Sequence, residues 1–584
     1  MAEDGKRFED LTPGAENKLI IGFDFGTTYC GIGYAESSRL QRNAARGFSQ
    51  WPGTQQHTIT SDKVPTKIRY DGPKPQWGFL IPSGLPSSQV MDLFKLDLEP
   101  SLYKLDAVSD PTAPRRSPQE TDKLMTDYMT ELVTYVMTRL RADLKAEVID
   151  AVPIQVVLTV PAIWTDLAKE KTRAACHKAF RSVCAGALEI KTLSEPEAAA
   201  IFALHTMDRA DLGQGDAFVV CDAGGGTVDL ISYVVNSLAP ILDVVEAAPG
   251  SGGLCGSVFL NKLFEKFLQA RYSHLQGYEP KWVDEVMDMF ERTLKREMNT
   301  ALTQGTYTLR VGGLANDAAV GSKAGKIVIP GRDLFDVFEP IIQEIQRLVQ
   351  AQIRASDRTI KAVLLVGGFG TSTYLRERLT NQLQAQGIKV LQVEGAWRAV
   401  VSGAVLKGLA WNSPDYRDAM PRIGARRARK HHGFEIEMPY VAELHGAFEG
   451  RRFWSGMDGC HMLHAMSWFL RYDEHIVENH AIPHYFSVRS HARIAAIDLI
   501  IFTDALSATR EAPLVRDHNV VLVCQVRADL SQIPDDQITQ RRGADGKQYY
   551  EISAHVEALY ETELAMYTLV HEGKRYDTVT VKFS

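Results

Sequence analysis

No stretch of this chain approaches the roughly 18 uninterrupted apolar residues that a membrane-crossing helix needs, so no membrane span is expected. Residues 1–10 are polar and acidic and hold no apolar core of a secretory signal. Cysteine is sparse and unpatterned. The seven cysteines, at 30, 176, 184, 221, 255, 460 and 524, form no spaced framework and read as reduced, mostly buried thiols of a cytoplasmic protein. A net charge of −7 exerts no general pull on nucleic acid or anionic lipid, and no nucleic-acid partner is expected. Gly-x-Ser-x-Gly and Gly-x-x-x-x-Gly-Lys-Ser/Thr are both absent, which removes the usual serine-hydrolase elbow and the usual phosphate-binding loop. Cys460, His461 and His464 have metal-compatible spacing, but no second pair matches them and a zinc site is not expected.

What is present is a soluble globular composition, 45% hydrophobic and 23% charged, in 584 residues, enough for two or more domains. Two segments almost 200 residues apart follow one plan. In Leu19-Ile20-Ile21-Gly22-Phe23-Asp24-Phe25-Gly26-Thr27-Thr28 and in Phe218-Val219-Val220-Cys221-Asp222-Ala223-Gly224-Gly225-Gly226-Thr227-Val228-Asp229, an apolar strand delivers an aspartate to a Gly/Thr turn. The segment after each turn can pair back as a hairpin. Glycine lets backbone N–H groups approach an anion, threonine adds a hydroxyl donor, and an adjacent aspartate suits a hydrated divalent cation. Two such turns in two halves of a chain imply a duplicated domain that grips one polyphosphate from both sides.

Two further elements fit this plan. The apolar run 361–366 ends in Gly367-Gly368-Phe369-Gly370 ahead of a helical pattern over 374–383, and reads as a backbone shelf for a nucleoside. Between the two turns lie the strand-like segment 154–162, a helical pattern over 166–183, and Ser194-Glu195-Pro196-Glu197, where Ser194 can cap a helix with Pro196 in its first turn.

The ordered set DFGTT, VPAIWTD, SEPEAAAIFAL, DAGGGTVD and LLVGGFG resembles the ATPase domain of the heat shock protein 70 family, within the actin and sugar-kinase superfamily. The resemblance covers about residues 18–410. It implies an α/β fold with two actin-like, ribonuclease-H-like lobes, 18–210 and 211–410, carrying insertions at 54–116 and 272–328. It also implies ATP and Mg²⁺ as cofactors. Asp24, Glu195, Asp222 and Asp229 match acidic positions around Mg²⁺ and the hydrolytic water: Asp24 and Asp222 on the metal side, Glu195 and Asp229 on the catalytic side. Thr27, Thr28 and Thr227 match phosphate donors, beside Gly26, Gly224, Gly225 and Gly226. Lys95, in an apolar-Asp-x-x-Lys setting, matches the catalytic lysine, with Lys104 close by. Lys295 and Arg296 match the pair that flanks adenine, with Gly367 and Gly368 beneath the nucleoside. Groups of this kind act by positioning and by stabilising charge.

This sequence departs from the family pattern at several points. Phe369, Gly370 and Thr371 stand where the family has Ser-Thr-Arg. Glu291 lies one position further upstream of the Lys-Arg pair than the family glutamate, and Lys169 replaces an arginine that relays the nucleotide state from the position of Pro161. The acidic-leucine linker is missing.

Residues 1–17 read as a disordered tail and 411–434 as a basic linker. Residues 435–584 read as a β-rich, sandwich-like domain with strand patterns at 493–503, 519–528, 549–559 and 578–583. In the family such a domain binds peptides beneath a helical lid, and the pattern here reaches 584 without one. The resemblance therefore implies a divergent, chaperone-like ATPase that couples ATP hydrolysis to a lidless β-domain. Its partners would be ATP and ADP, client polypeptides, and nucleotide-exchange or co-chaperone proteins. Two alternatives are an ATP-binding protein that senses without hydrolysing, and a small-molecule kinase of the same superfamily.

Overall fold

A computed structural model describes residues 17–37, 45–54, 61–82, 85, 87–99, 116–207, 213–478, 480–531, 533–534, 538–561 and 564–580. The chain divides into two compact units, Met1–Ile423 and Gly424–Ser584.

The first unit repeats one sheet topology. The strand Leu19–Phe25 turns back as Tyr29–Glu36, with Asp24 opposite Gly31. On its other side it runs parallel to Ile154–Val160, which is parallel in turn to Leu188–Ser194. The second sheet copies this arrangement. Ala217–Ala223 turns back as Val228–Ser237, which pairs with Asp243–Gly253, while Ile360–Val366 and Lys389–Gln392 add in parallel on the other side. The central strands are apolar on both faces because helices cover both. In the first lobe Pro118–Leu144 buries Leu124, Tyr128, Leu132 and Val136 against the sheet, and in the second Gly331–Ala355 buries Phe338, Ile341 and Ile345.

Two helices that are apolar on nearly every side, Glu195–Thr206 and Ala399–Asn412, lie in the core shared by both sheets. Their backbones touch: a Cβ on Gly403 would collide with the Ala198 carbonyl. Glycine is required there by close approach.

The segment 411–434, read above as a basic linker, is folded. It completes Ala399–Asn412, forms the short helix Pro414–Ala419, and contributes the strands Arg422–Arg427 and the start of His432–Pro439. Its basic residues find acidic partners, Arg422 with Asp243 at 3.1 Å and Arg427 with Asp473 at 3.4 Å, and Arg426 and His431 are buried. The division between the units falls inside the strand Arg422–Arg427. Residues 1–16 of the expected tail, and Lys104, lie outside the described residues.

The second unit is built of antiparallel strands. One sheet contains Phe453–Ser455, Cys460–Leu470, His432–Pro439, Ala496–Asp504 and Val520–Asp529; the other is built on Ala481–Ser490, Gln548–Glu561, Leu564–His571 and Lys574–Thr580. A common core of Phe434, Phe469, Ile501, Val526, Val556 and Tyr567 joins them. Strand alternation sends His461 and His464 to opposite faces, one ring against Trp454 and the other stacked on Phe453.

Candidate functional site

The two Gly/Thr turns end the equivalent strands of the two sheets and meet. A Cβ on Gly225 would strike Thr28 Oγ1, and one on Gly226 would strike Thr27 Oγ1. The side-chain-free backbone of one turn therefore faces the hydroxyls of the other, as a two-sided phosphate cradle needs. Gly367, at φ +80°, packs against Asp222 Oδ1 and the Ala223 carbonyl, so the third turn closes on the second. Gly368 lies against the ring of Trp397.

Beneath the turns is a buried cluster of charge. Antiparallel register sets Asp222 opposite Asp229 on one face of the second hairpin. Glu195 enters at the first turn of its helix, where Ser194 Oγ accepts the Glu197 N–H as N-cap and Pro196 sits in the first turn. Lys95, in the short 3₁₀ turn Phe94–Leu98, is 2% exposed. Its Nζ lies 2.7 Å from Glu195 Oε1 and 5.0 Å from the Trp164 ring centroid. The backbone N–H of Ala162, just after Pro161, donates to Asp229 Oδ1 at 3.1 Å and ties the first lobe to the second hairpin. Lys169 is buried in the following helix, Asp166–Arg181.

Removal from water lifts the acids of this cluster. Burial, with Asp24 and Asp229 nearby, outweighs the Lys95 ammonium and raises Glu195 to about 7. Burial and the charges of Glu195, Asp229 and Asp24 push Asp222 well above the usual carboxylate range. Burial raises Asp229 in spite of its Thr227 and Ala162 hydrogen bonds. Among the described residues no group of three or more His, Cys, Asp or Glu is arranged to hold a metal ion by itself, so a cation here would need oxygens from water or from a bound phosphate beside these carboxyl groups.

Lys63 was not anticipated from the sequence. Its Nζ donates to Asp24 Oδ2 at 2.6 Å, and both side chains are buried. Burial alone would lower this ammonium, but the charge and hydrogen bond of Asp24, with Asp222 and Glu195 behind them, raise it. Asp24, expected to hold metal, is thus already paired.

The surroundings of Lys295 and Arg296 are also more definite than the sequence implied. Phe290–Leu294 is a π-helical turn between Pro280–Met289 and Lys295–Glu297. Glu291, four residues before Lys295, reaches Lys295 Nζ at 2.6 Å, with Asn261 Oδ1 accepting from the same nitrogen at 3.0 Å. Burial lowers Lys295 despite Glu291. Arg296, beside it, is exposed. Across the cleft, burial and the Glu291 charge raise Tyr29, while Arg296 and Arg292 pull it down. The Tyr29 ring meets Trp397 edge-on at 5.3 Å. The structure brings Thr27, Thr28, Gly225 and Gly226 together and sets Lys95 on Glu195 and Asp222 opposite Asp229; Lys63, Tyr29 and Trp397 are neighbours that the sequence reading did not name.

The sequence model of the family described as Hsp70 protein matches residues 116–413. Heat shock 70 kDa protein 12B of Homo sapiens is 22% identical over 495 residues, 68% of this chain and 69% of that protein. Heat shock 70 kDa protein 12A of Mus musculus is 22% identical over 488 residues, 68% and 71% of the two chains. A chaperone protein HscA homolog of Burkholderia mallei is 29% identical over 230 residues, 38% of this chain and 33% of that protein.

Proposed function

The chain belongs to the Hsp70 family, and on that premise we propose that its first unit binds Mg-ATP between the two lobes and hydrolyses it slowly. The observation that carries this reading is the meeting of the two Gly/Thr turns above the buried Lys95–Glu195 pair and the Asp222–Asp229 face. Thr27, Thr28, Thr227 and the glycine backbones hold the phosphates. Lys95 stabilises the charge that develops on the γ-phosphoryl group, and Asp229 with Glu195 orients the attacking water. Water forms the new P–O bond, the bond to the β-phosphate oxygen breaks, and the proton of water leaves to solvent through the carboxylates. Asp222 would hold Mg²⁺, which supplies further neutralisation of the phosphate charge. Arg296, Tyr29 and the Gly367-Gly368 shelf surround the base.

Nucleotide turnover would switch the β-rich second unit, which we propose acts on client polypeptides as the chaperone-named relatives suggest, with exchange factors and co-chaperones resetting the cycle. Seven free cysteines, six of them buried, support placing it in the cytoplasm. Among the described residues no helix is long and apolar enough to cross a membrane. A second reading, ATP binding without turnover, draws support from the Lys63–Asp24 pair, which removes one carboxylate from the expected metal set. Isothermal titration of the full chain with ATP, ADP and GTP in Mg²⁺ tests the binding step. Saturable binding of ATP and ADP is expected, and heats no larger than dilution with all three would contradict it.

A further inference from the structure

Lys63 is delivered to the cleft by construction. Its strand, Lys63–Pro65, pairs with the return arm of the first hairpin so that Lys63 lies opposite Gly31, and Gly31 in turn lies opposite Asp24. Gly31 offers no side chain between them: a Cβ there would sit 3.3 Å from Lys63 Cγ and 3.4 Å from Cε. The lysine stem runs across this gap and sets Nζ 2.6 Å from Asp24 Oδ2. The Trp397 ring, with its centroid 5.1 Å from Nζ, covers the ammonium. Strand register, a glycine gap and an aromatic cover combine to hold one positive charge at the carboxylate that ends the first strand.

We propose that Lys63 is a resident cation of the site, which occupies Asp24 in place of an external cation and weakens the dependence of polyphosphate binding on the Mg²⁺ that Asp222 would hold. The inference rests on the nucleotide reading above and deepens it. Asp24, Glu195, Asp222 and Asp229 crowd four carboxyl groups together, and Lys63 is the cation bonded to Asp24 as Lys95 is to Glu195. Without Lys63 the Asp24 carboxylate would face the incoming polyanion uncompensated, in a buried site where such repulsion is weakly screened. A divalent ion seated on Asp24 would first have to displace a buried, hydrogen-bonded ammonium. Lys63 thus acts as a positioning residue for phosphate charge, distinct from Lys95, which is bonded to Glu195.

ATP binding to the full chain, measured by titration calorimetry in Mg²⁺ and again in EDTA, tests this directly. Wild type is expected to lose less than about tenfold in affinity on removal of Mg²⁺, and Lys63→Met more than about a hundredfold. The double variant Lys63→Met/Asp24→Asn, which removes the stranded carboxylate too, is expected to return to the weak dependence of wild type. A wild-type protein that loses a hundredfold or more in EDTA overturns the inference regardless of how the variants fold. Equal Mg²⁺ dependence in wild type and Lys63→Met overturns it as well. Failure of wild type to bind ATP even in Mg²⁺ overturns instead the nucleotide reading beneath it.

Discussion

Lys95 and Glu195, 100 positions apart, meet as a buried ion pair at 2.7 Å. Two mobile side chains would gain little from pairing at the surface. Here Lys95 is held in a 3₁₀ turn and Glu195 at the start of the helix Glu195–Thr206, with the Trp164 and Phe25 ring centroids 5.0 and 5.7 Å from the ammonium. On the proposed reading the pair is a preorganised charge beside the phosphate that develops charge during hydrolysis.

Lys95→Met is therefore expected to lower the single-turnover hydrolysis rate by about 10²–10³-fold while ATP affinity changes much less. Parallel rate and binding measurements check the separation.

Glu195 carries a pH signature. Its carboxyl is raised from 4.5 to about 7 by burial and by Asp24 and Asp229. The folded state therefore binds the Glu195 proton more tightly than the unfolded chain does. That contribution to stability is complete below the unfolded value and is lost as pH rises through about 7. Wild type should lose stability relative to Glu195→Gln between about pH 5 and about pH 8, by at most about 3 kcal/mol. Denaturant unfolding of both proteins across that range reads the difference, and parallel curves would contradict the assignment.

The glycine contacts predict two different losses. Gly225→Ala pushes a methyl into Thr28 Oγ1, so ATP affinity should fall at least about tenfold in calorimetry while the far-ultraviolet spectrum is unchanged.

Gly403→Ala drives a methyl into the Ala198 carbonyl between the two central helices, and should cost about 1–3 kcal/mol with a melting temperature several degrees lower. Gly446→Ala, where nothing lies within 4 Å, is the control and should stay within about 0.5 kcal/mol of wild type.

The parts of this architecture that were legible in the sequence are those in which local pattern and tertiary role coincide. Strands such as Leu19–Phe25 and Ala217–Ala223 are buried on both faces, so they are continuous apolar runs, and the glycines that follow them mark the turns. Ser194 and Pro196 announce a helix start in one reading of four residues. Lys63 could not be found in this way. Its strand is three residues long, lies in a segment rich in turn residues, and acquires meaning only from a register that places Gly31 between it and Asp24. Glu291 looked misplaced because it stands one position further upstream than the family glutamate, yet four residues is the spacing of neighbours on a helix face and the pairing with Lys295 forms. The basic segment around Arg422–Arg427 resembled a solvated connector because its acidic partners, Asp243 and Asp473, are distant in sequence. Strands of the second unit such as Cys460–Leu470 were overlooked, since histidine and serine interrupt their apolar alternation.

The central claim is that this cleft turns ATP over with the Lys95–Glu195 pair and Asp229 as its working parts. Single-turnover hydrolysis of ATP in Mg²⁺ by wild type and by Asp229→Asn, with bound nucleotide quantified in both, tests it most directly. The account predicts conversion of bound ATP to ADP in wild type, and a rate lower by about 10²-fold or more in Asp229→Asn with ATP still bound. Wild-type protein that holds ATP without converting it, or an Asp229→Asn rate equal to that of wild type, would contradict it.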